Sequence, residues 1–193
     1  MFLYVLRTIF SKMPRNILLT GFPRSGKTTL LEQVVRGISK KKGFLTREVK
    51  ECGERTGFEV VSSDNQVLLL ASIHLNTRYE SPRYHLNTSP EISRYCADIE
   101  GFDKFVSSQF KYSKEHSLYL DEIGQMQLFS SHFRDLVTNY LDASNLFLAT
   151  ISKVYSDAFT ESIKRRSDVI LVEVDSSDRD TAYREITQLI GGV

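Results

Sequence analysis

Most of the legible chemistry in this chain sits in eight consecutive residues: Gly21, Phe22, Pro23, Arg24, Ser25, Gly26, Lys27 and Thr28. They satisfy the pattern Gly, any four residues, Gly-Lys, then Ser or Thr at every fixed position. Each fixed residue has a physical task. Glycines let the backbone curl without Cβ clashes, so successive main-chain N–H groups can point inward as an anion nest. A helix starting at the end of the loop adds its unpaired donors and positive dipole end. Lys27 would reach β- and γ-phosphate oxygens, and Thr28 would offer its hydroxyl to Mg²⁺. Thr29 would touch the α-phosphate or simply open the helix. By average residue usage the pattern arises by chance in about one chain in a hundred of this length.

A second constellation lies about ninety residues downstream, where the apolar run Leu118-Tyr119-Leu120 ends in Asp121-Glu122. Asp121 is expected to hold the metal through its water shell. Glu122 is expected to orient and deprotonate an attacking water. A carboxylate in that place favours hydrolysis over transfer to a second substrate. Other cations have weaker claims. Lys164, Arg165 and Arg166 read first as a charged helix C-terminus, with Arg165 or Arg166 as the candidate transition-state arginine. Arg78 and Arg83 lie in a long loop able to close over a ligand. Asp178-Arg179-Asp180 follows the last strand and is a candidate base contact. His74, His85, His116 and His132 show no ligand spacing, and Phe102, Phe105 and Phe110 read as core packing.

The elements that must position these groups alternate in period, which predicts α/β layering. Asn16 to Thr20 is a buried strand. Leu30, Leu31, Val34, Val35 and Ile38 then repeat at helical spacing. The lysines 40, 41 and 42 followed by Gly43 read as a solvated helix end rather than a binding patch. Gly43 to Val49, Thr56 to Ser62 and Gln66 to Ala71 read as an antiparallel meander, and Ser72 to Pro90 as a loop. Gly101 to Tyr112 is a helix, and Ser117 to Leu120 a strand. Phe133, Leu136, Val137, Tyr140 and Leu141 mark a helix capped by Ser130 or Ser131. Leu146 to Ile151 is a strand, Ala158 to Arg165 a helix, Val169 to Val174 a strand and Asp178 to Ile190 the closing helix.

The bulk properties bound the answer without choosing it. The chain has 193 residues, 41% of them apolar and 25% charged, with a formal net charge of +1. That suits one domain, residues 14–193, with a sizeable core. No nucleic-acid footprint or acidic tail is present. Two cysteines, Cys52 and Cys96, without metal or redox spacing fit a reducing cytosol. Residues 1–13 are apolar and basic, too short to span a bilayer. They read as an added arm or upstream start, with Met13 as the working start; a short membrane-surface or targeting helix is the alternative. A monomer is expected.

Several segments together resemble the cancer-related nucleoside-triphosphatase family of small P-loop phosphohydrolases. Besides the loop, the resemblance rests on Gly43-Phe44-Leu45-Thr46-Arg47-Glu48-Val49 and the hairpin Arg55-Thr56-Gly57-Phe58. It rests above all on Asp121-Glu122-Ile123-Gly124-Gln125-Met126-Gln127-Leu128-Phe129-Ser130. It runs from about Asn16 to the closing helix. It implies a RecA-like P-loop fold, with a mostly parallel sheet, added antiparallel strands and helices on both faces. It also implies Mg²⁺-dependent hydrolysis of ATP, GTP and other triphosphates, with Leu118, Tyr119, Leu120, Asp121, Glu122, Ile123, Gly124 and Gln125 lining the nucleotide site. This chain departs from the family pattern at Gln125, Gln127, Arg47 and Ser152, where the family has Lys, Glu, Glu and often Pro. Losing the lysine puts the rate in question more than the binding. Two other functions compete: a nucleotide or small-molecule kinase with the long loop as a lid, and a slow nucleotide-dependent switch. The absence of an Asn-Lys-x-Asp motif argues against a Ras-like GTPase.

Overall fold

The computed structural model describes residues 15–83, 93–109 and 114–191. The expectations for residues 1–13, His85, Pro90 and Phe110 to Tyr112 lie outside them, as does the side chain of Arg83. In chain order the strands are β1 Asn16–Thr20, β2 Lys41–Glu51, β3 Glu54–Ser62, β4 Val67–Ser72, β5 Glu80–Arg83, β6 Ser93–Ala97, β7 Ser117–Ile123, β8 Phe147–Ile151 and β9 Val169–Glu173. The helices are α1 Lys27–Arg36, α2 Ile99–Gln109, α3 Gln125–Leu128, α4 Ser131–Asp142, α5 Ala158–Lys164 and α6 Arg179–Ile190.

All nine strands form one sheet in the order β5-β6-β4-β3-β2-β7-β8-β1-β9. From β2 to β9 every pairing is parallel. From β2 to β5 every pairing is antiparallel. The sheet is therefore a parallel core with an antiparallel wing, joined at β2, whose first residues pair with β7 while its length pairs with β3. Backbone contact is closest at Gly43, opposite Tyr119. Gly43 has φ 156°, and a Cβ there would meet the Tyr119 carbonyl oxygen at 1.8 Å. A side chain would force the seam apart, so this position needs glycine.

Alternation along the parallel strands supplies two buried faces. Ile17 and Leu19 of β1, with Leu148 and Val172, pack against Leu30, Leu31, Val34 and Val35 of α1 and Ala182 and Ile186 of α6. Leu18, Leu118, Leu120, Phe147 and Ala149 face the other way, toward α2, α4 and α5. There Phe44 meets Phe102 edge-on at 5.9 Å and Phe133 at 6.0 Å, the offset geometry aromatic rings prefer. Ser130 caps α4 by accepting from Phe133 N at 2.9 Å.

Two expectations need correction, and one short element is unforeseen. The first helix stops at Gly37, whose N–H reaches the Val34 carbonyl. The lysine run is thus not its end: Lys41 and Lys42 open β2, where backbone pairing with Ser117 and Leu118 of β7 replaces helical bonds. The segment after Ser72 is not all loop, because Glu80–Arg83 pairs antiparallel with the unforeseen strand Ser93–Ala97. A one-turn helix, α3, follows the acid strand directly.

Candidate active site

The loop from Gly21 to Thr28 leaves the C-terminal end of β1 and runs into α1, as its pattern demands. Three residues in it hold positive φ where an L-residue is strained: Gly21 at 154°, Arg24 at 67° and Gly26 at 93°. Gly21 carries the tightest constraint, because a Cβ there would lie 2.4 Å from the Val174 carbonyl oxygen; at Gly26 it would lie 2.8 Å from Arg179 Cδ. Lys27 Nζ folds over the loop and donates to the carbonyls of Gly21 at 3.0 Å and Phe22 at 2.9 Å. Burial lowers its pKa, opposed by the charges of Glu122 and Asp121. Ser25 is 8% exposed, and its hydroxyl lies buried without a hydrogen-bond partner among the described residues. Phe22, Pro23 and Arg24 are exposed, as is Thr29 in the first turn of α1.

β7 brings the acids to the same edge of the sheet, with β8 between β7 and β1. Asp121 is 1% exposed. Its Oδ1 accepts from Thr28 Oγ1 at 3.2 Å and from Thr150 Oγ1 at 2.5 Å, and its Oδ2 from the Thr46 N–H at 3.3 Å. The Thr46 hydroxyl donates to the Asp121 carbonyl. Three strands and one helix thus fix a single carboxylate. Burial raises its pKa, while the donors from Thr150, Thr28 and Thr46 oppose the rise. Glu122 makes no hydrogen bond among the described residues. Burial first, then the charge of Asp121, push its pKa up to about 7, against the pull of Lys27. A carboxylate poised near neutrality suits proton transfer. Thr150 and Thr46 were not singled out from the sequence, although a threonine in an otherwise apolar strand such as β8 is a readable signal.

Other candidates land elsewhere. Leu118, Leu120 and Ile123 are 0% exposed in the core and Tyr119 is 5% exposed against the α1 layer. Their side chains do not face the cleft, because strand alternation turns them into the two layers. The stretch from Leu118 to Gln125 narrows to the acids and the turn Gly124-Gln125, where Gln125 Oε1 accepts from Ser81 Oγ of β5 at 3.3 Å. Arg166 is corrected most plainly. It binds Asp168 and Asp142 at 2.8 Å each, and Asp168 accepts from Asn16 at the start of β1. That is the opposite end of the strand from the loop. Arg165 caps the C-terminus of α5, beside it. Arg78 rests on Tyr79, with its guanidinium 5.0 Å from the ring. Two cations do approach the loop: Arg179 against Gly26, and Lys153, whose Nζ is 4.5 Å from the centroid of Phe22.

Comparison with known proteins matches this architecture as a whole. A family model described as NTPase matches residues 16–187. The nucleoside-triphosphatase THEP1 of a Thermotoga species is 33% identical over 175 residues, covering 91% of this chain and 95% of that protein. The chain belongs to this nucleoside-triphosphatase family. The crystal structure of THEP1 from Aquifex aeolicus superposes with a TM-score of 0.74 at 26% identity, covering 90% of this chain and 98% of the other. The solution structure of a human cancer-related nucleoside triphosphatase gives 0.66 at 27% identity, covering 91% and 97%. The family's P-loop α/β fold, expected from the sequence, is the fold observed.

The residues present fit a nucleotide and a hard divalent cation. Ser25 leaves a buried hydroxyl free inside the loop, and Gly26 keeps the backbone open beside Arg179. Across from them Thr28 and Asp121 present oxygen ligands only, the donor type Mg²⁺ takes together with phosphate oxygens and water.

Proposed function

We propose that this protein hydrolyses nucleoside 5′-triphosphates to the diphosphate and phosphate with Mg²⁺. The observation that carries this reading is the Thr28–Asp121 contact of 3.2 Å. It ties the phosphate loop to the acid strand, and so sets Glu122 beside the place where a terminal phosphate would lie. The relatives named above as nucleoside-triphosphatases support the same reaction.

The division of labour follows from the geometry. Main-chain N–H groups of the loop and the start of α1 bind the β- and γ-phosphates. Lys27 turns from the carbonyls of Gly21 and Phe22 to phosphate oxygens, bringing its charge to the bond that breaks. Thr28 and Asp121 would hold Mg²⁺, which when bound neutralises charge on the phosphate oxygens. Glu122 orients a water, takes its proton and holds it near neutral pH. The threonines at 46 and 150 keep Asp121 from turning away. The site sits at the carboxyl ends of parallel strands, where open α/β sheets bind ligands. The reading places the reaction in the compartment where nucleoside triphosphates and Mg²⁺ abound, the cytoplasm, with the chain acting as a monomer and without nucleic acid. Among the described residues no helix is long and apolar enough to cross a membrane.

Phosphate release measured across ATP, GTP, CTP and UTP, with and without Mg²⁺, tests the reading. Metal-dependent release from several of them is expected. Transfer to an added acceptor without free phosphate would replace hydrolysis by a kinase reaction. Tight binding with no turnover would leave a switch.

A further inference from the structure

We propose that Lys153 is a second phosphate-contacting cation, closing on the terminal phosphate of the bound triphosphate. This rests on the hydrolase reading above. Gln125, which follows the acid strand, is hydrogen-bonded to Ser81 and carries no charge to set against a phosphate. The candidate arginines after α5 lie at the far end of the sheet. Lys153, by contrast, comes from the strand that lies between the loop strand and the acid strand. Thr150 touches Asp121, Ile151 pairs with Ile123 of β7, and the Ser152 N–H donates to the Ile123 carbonyl at 3.2 Å. One residue later the backbone has left the sheet, and the Lys153 side chain crosses back over the loop. Its ammonium lies 4.5 Å from the Phe22 ring centroid, while Lys27 holds the carbonyl of that same Phe22. Two ammonium groups therefore converge on one residue of the phosphate loop, one at its ring and one at its carbonyl.

The tethers that hold Lys153 there are weak enough to exchange. Its ion partner is Glu173, at the end of β9, and their side chains are 34% and 63% exposed. Exposed pairs of this kind contribute little. Phe22 is 59% exposed, and a cation over an exposed ring is held weakly beside one over a desolvated ring. A terminal phosphate carries more charge than Glu173 and is the group transferred to water, with the diphosphate as leaving group. A lysine drawn onto its oxygens when the triphosphate binds is in place to stabilise their charge in the transition state. A diphosphate lacks that group, so Lys153 distinguishes triphosphate from diphosphate and adds to the rate.

The test compares the parent protein with Lys153→Gln, Lys153→Arg and Glu173→Gln, all checked for unchanged thermal unfolding. Two quantities are read: kcat for Mg²⁺-dependent phosphate release, and the ratio of dissociation constants for ADP and a β,γ-imido triphosphate analogue. K153Q is expected to lower kcat by about tenfold or more and to shrink the preference for the triphosphate, with ADP affinity held within about twofold. K153R is expected to restore much of both, and E173Q, which frees the ammonium, to retain both. Parent-like kcat and parent-like preference in K153Q would overturn the assignment. So would equal losses of ADP and analogue binding, which would mean the lysine only props Phe22. If the parent itself releases no phosphate, the hydrolase reading fails, and the binding ratio still decides the role of Lys153.

Discussion

Asp121 shows how much a single side chain depends on its neighbours. A carboxylate with 1% exposure stays useful only while its lone pairs are matched, and three threonines match them. Removing one donor leaves a buried acceptor short of a partner and free to rotate. Such supporting contacts commonly change metal affinity by about tenfold to a hundredfold. Thr150→Val, nearly the same shape, is therefore expected to raise the Mg²⁺ concentration needed for half-maximal phosphate release by about tenfold. A magnesium titration of the variant beside the parent measures it; superimposable curves would remove Thr150 from the site. Residues of this kind were hard to see in the sequence. The loop Gly21 to Thr28 and the pair Asp121-Glu122 are contiguous, and their spacing alone carries meaning. Thr46 and Thr150 lie on other strands, and only the sheet register brings them to Asp121. Lys153 was missed for the same reason, while Arg165 or Arg166, read first as a charged helix C-terminus, stayed a transition-state candidate because the sequence does not say which end of the sheet they occupy.

At the scale of elements, periodicity located the strands and helices that bury two faces or one. It failed where an element is short or holds itself by local pairing. β5 contains Pro82 and, among the described residues, pairs only with β6, and both are short, with four and five residues, so neither carries a hydrophobic alternation long enough to read. α3 is a single turn set by its tie to the acid strand. α5 was legible as a helix from Ala158 to Arg165 although it is short, with seven residues, and its start depends on its cap. Asp157 accepts from the Thr160 N–H at 2.8 Å, and its own N–H donates to Thr160 Oγ1 at 2.9 Å. Burial works to raise the Asp157 pKa, but the Thr160 donors and Arg134 outweigh it and hold it below the ordinary carboxylate value. A lowered folded pKa contributes stability above the unfolded value of about 3.9, and that contribution is lost as pH falls through the folded value. Asp157→Ala is thus expected to destabilise by about 1 kcal/mol at pH 7, with the gap closing below about pH 4. Urea unfolding of both proteins at pH 7 and pH 3 reads this; a gap of equal size at both values would assign the effect to packing instead of the ionised cap.

For the whole molecule, the sheet is a frame that holds two chemistries at one edge: the phosphate loop after β1 and the acids near the end of β7. The antiparallel wing reaches the same edge through Thr46 on β2 and Ser81 on β5. A ligand bound across this edge touches both halves of the frame and must stabilise the fold by mass action. At a nucleotide concentration one hundred times the dissociation constant the gain is about 2.7 kcal/mol. A rise in melting temperature on adding Mg²⁺ with a non-hydrolysable triphosphate is expected for the parent, and none for Lys27→Ala. An equal rise in both would move the nucleotide away from the loop. The α/β layering was readable because buried strands and amphipathic helices alternate in the chain, whereas the order of the strands in the sheet was not. The wing's attachment was not, because it turns on one close approach, Gly43 against Tyr119, that carries no periodic signal.

The most direct measurement is the turnover of Glu122→Gln beside its affinity for triphosphate. The substitution keeps the size of the side chain and removes its capacity to take a proton from water. Nucleotide binding close to the parent's, with phosphate release slowed by about a hundredfold or more, is the outcome expected of a carboxylate that activates water. Release at the parent rate would contradict it.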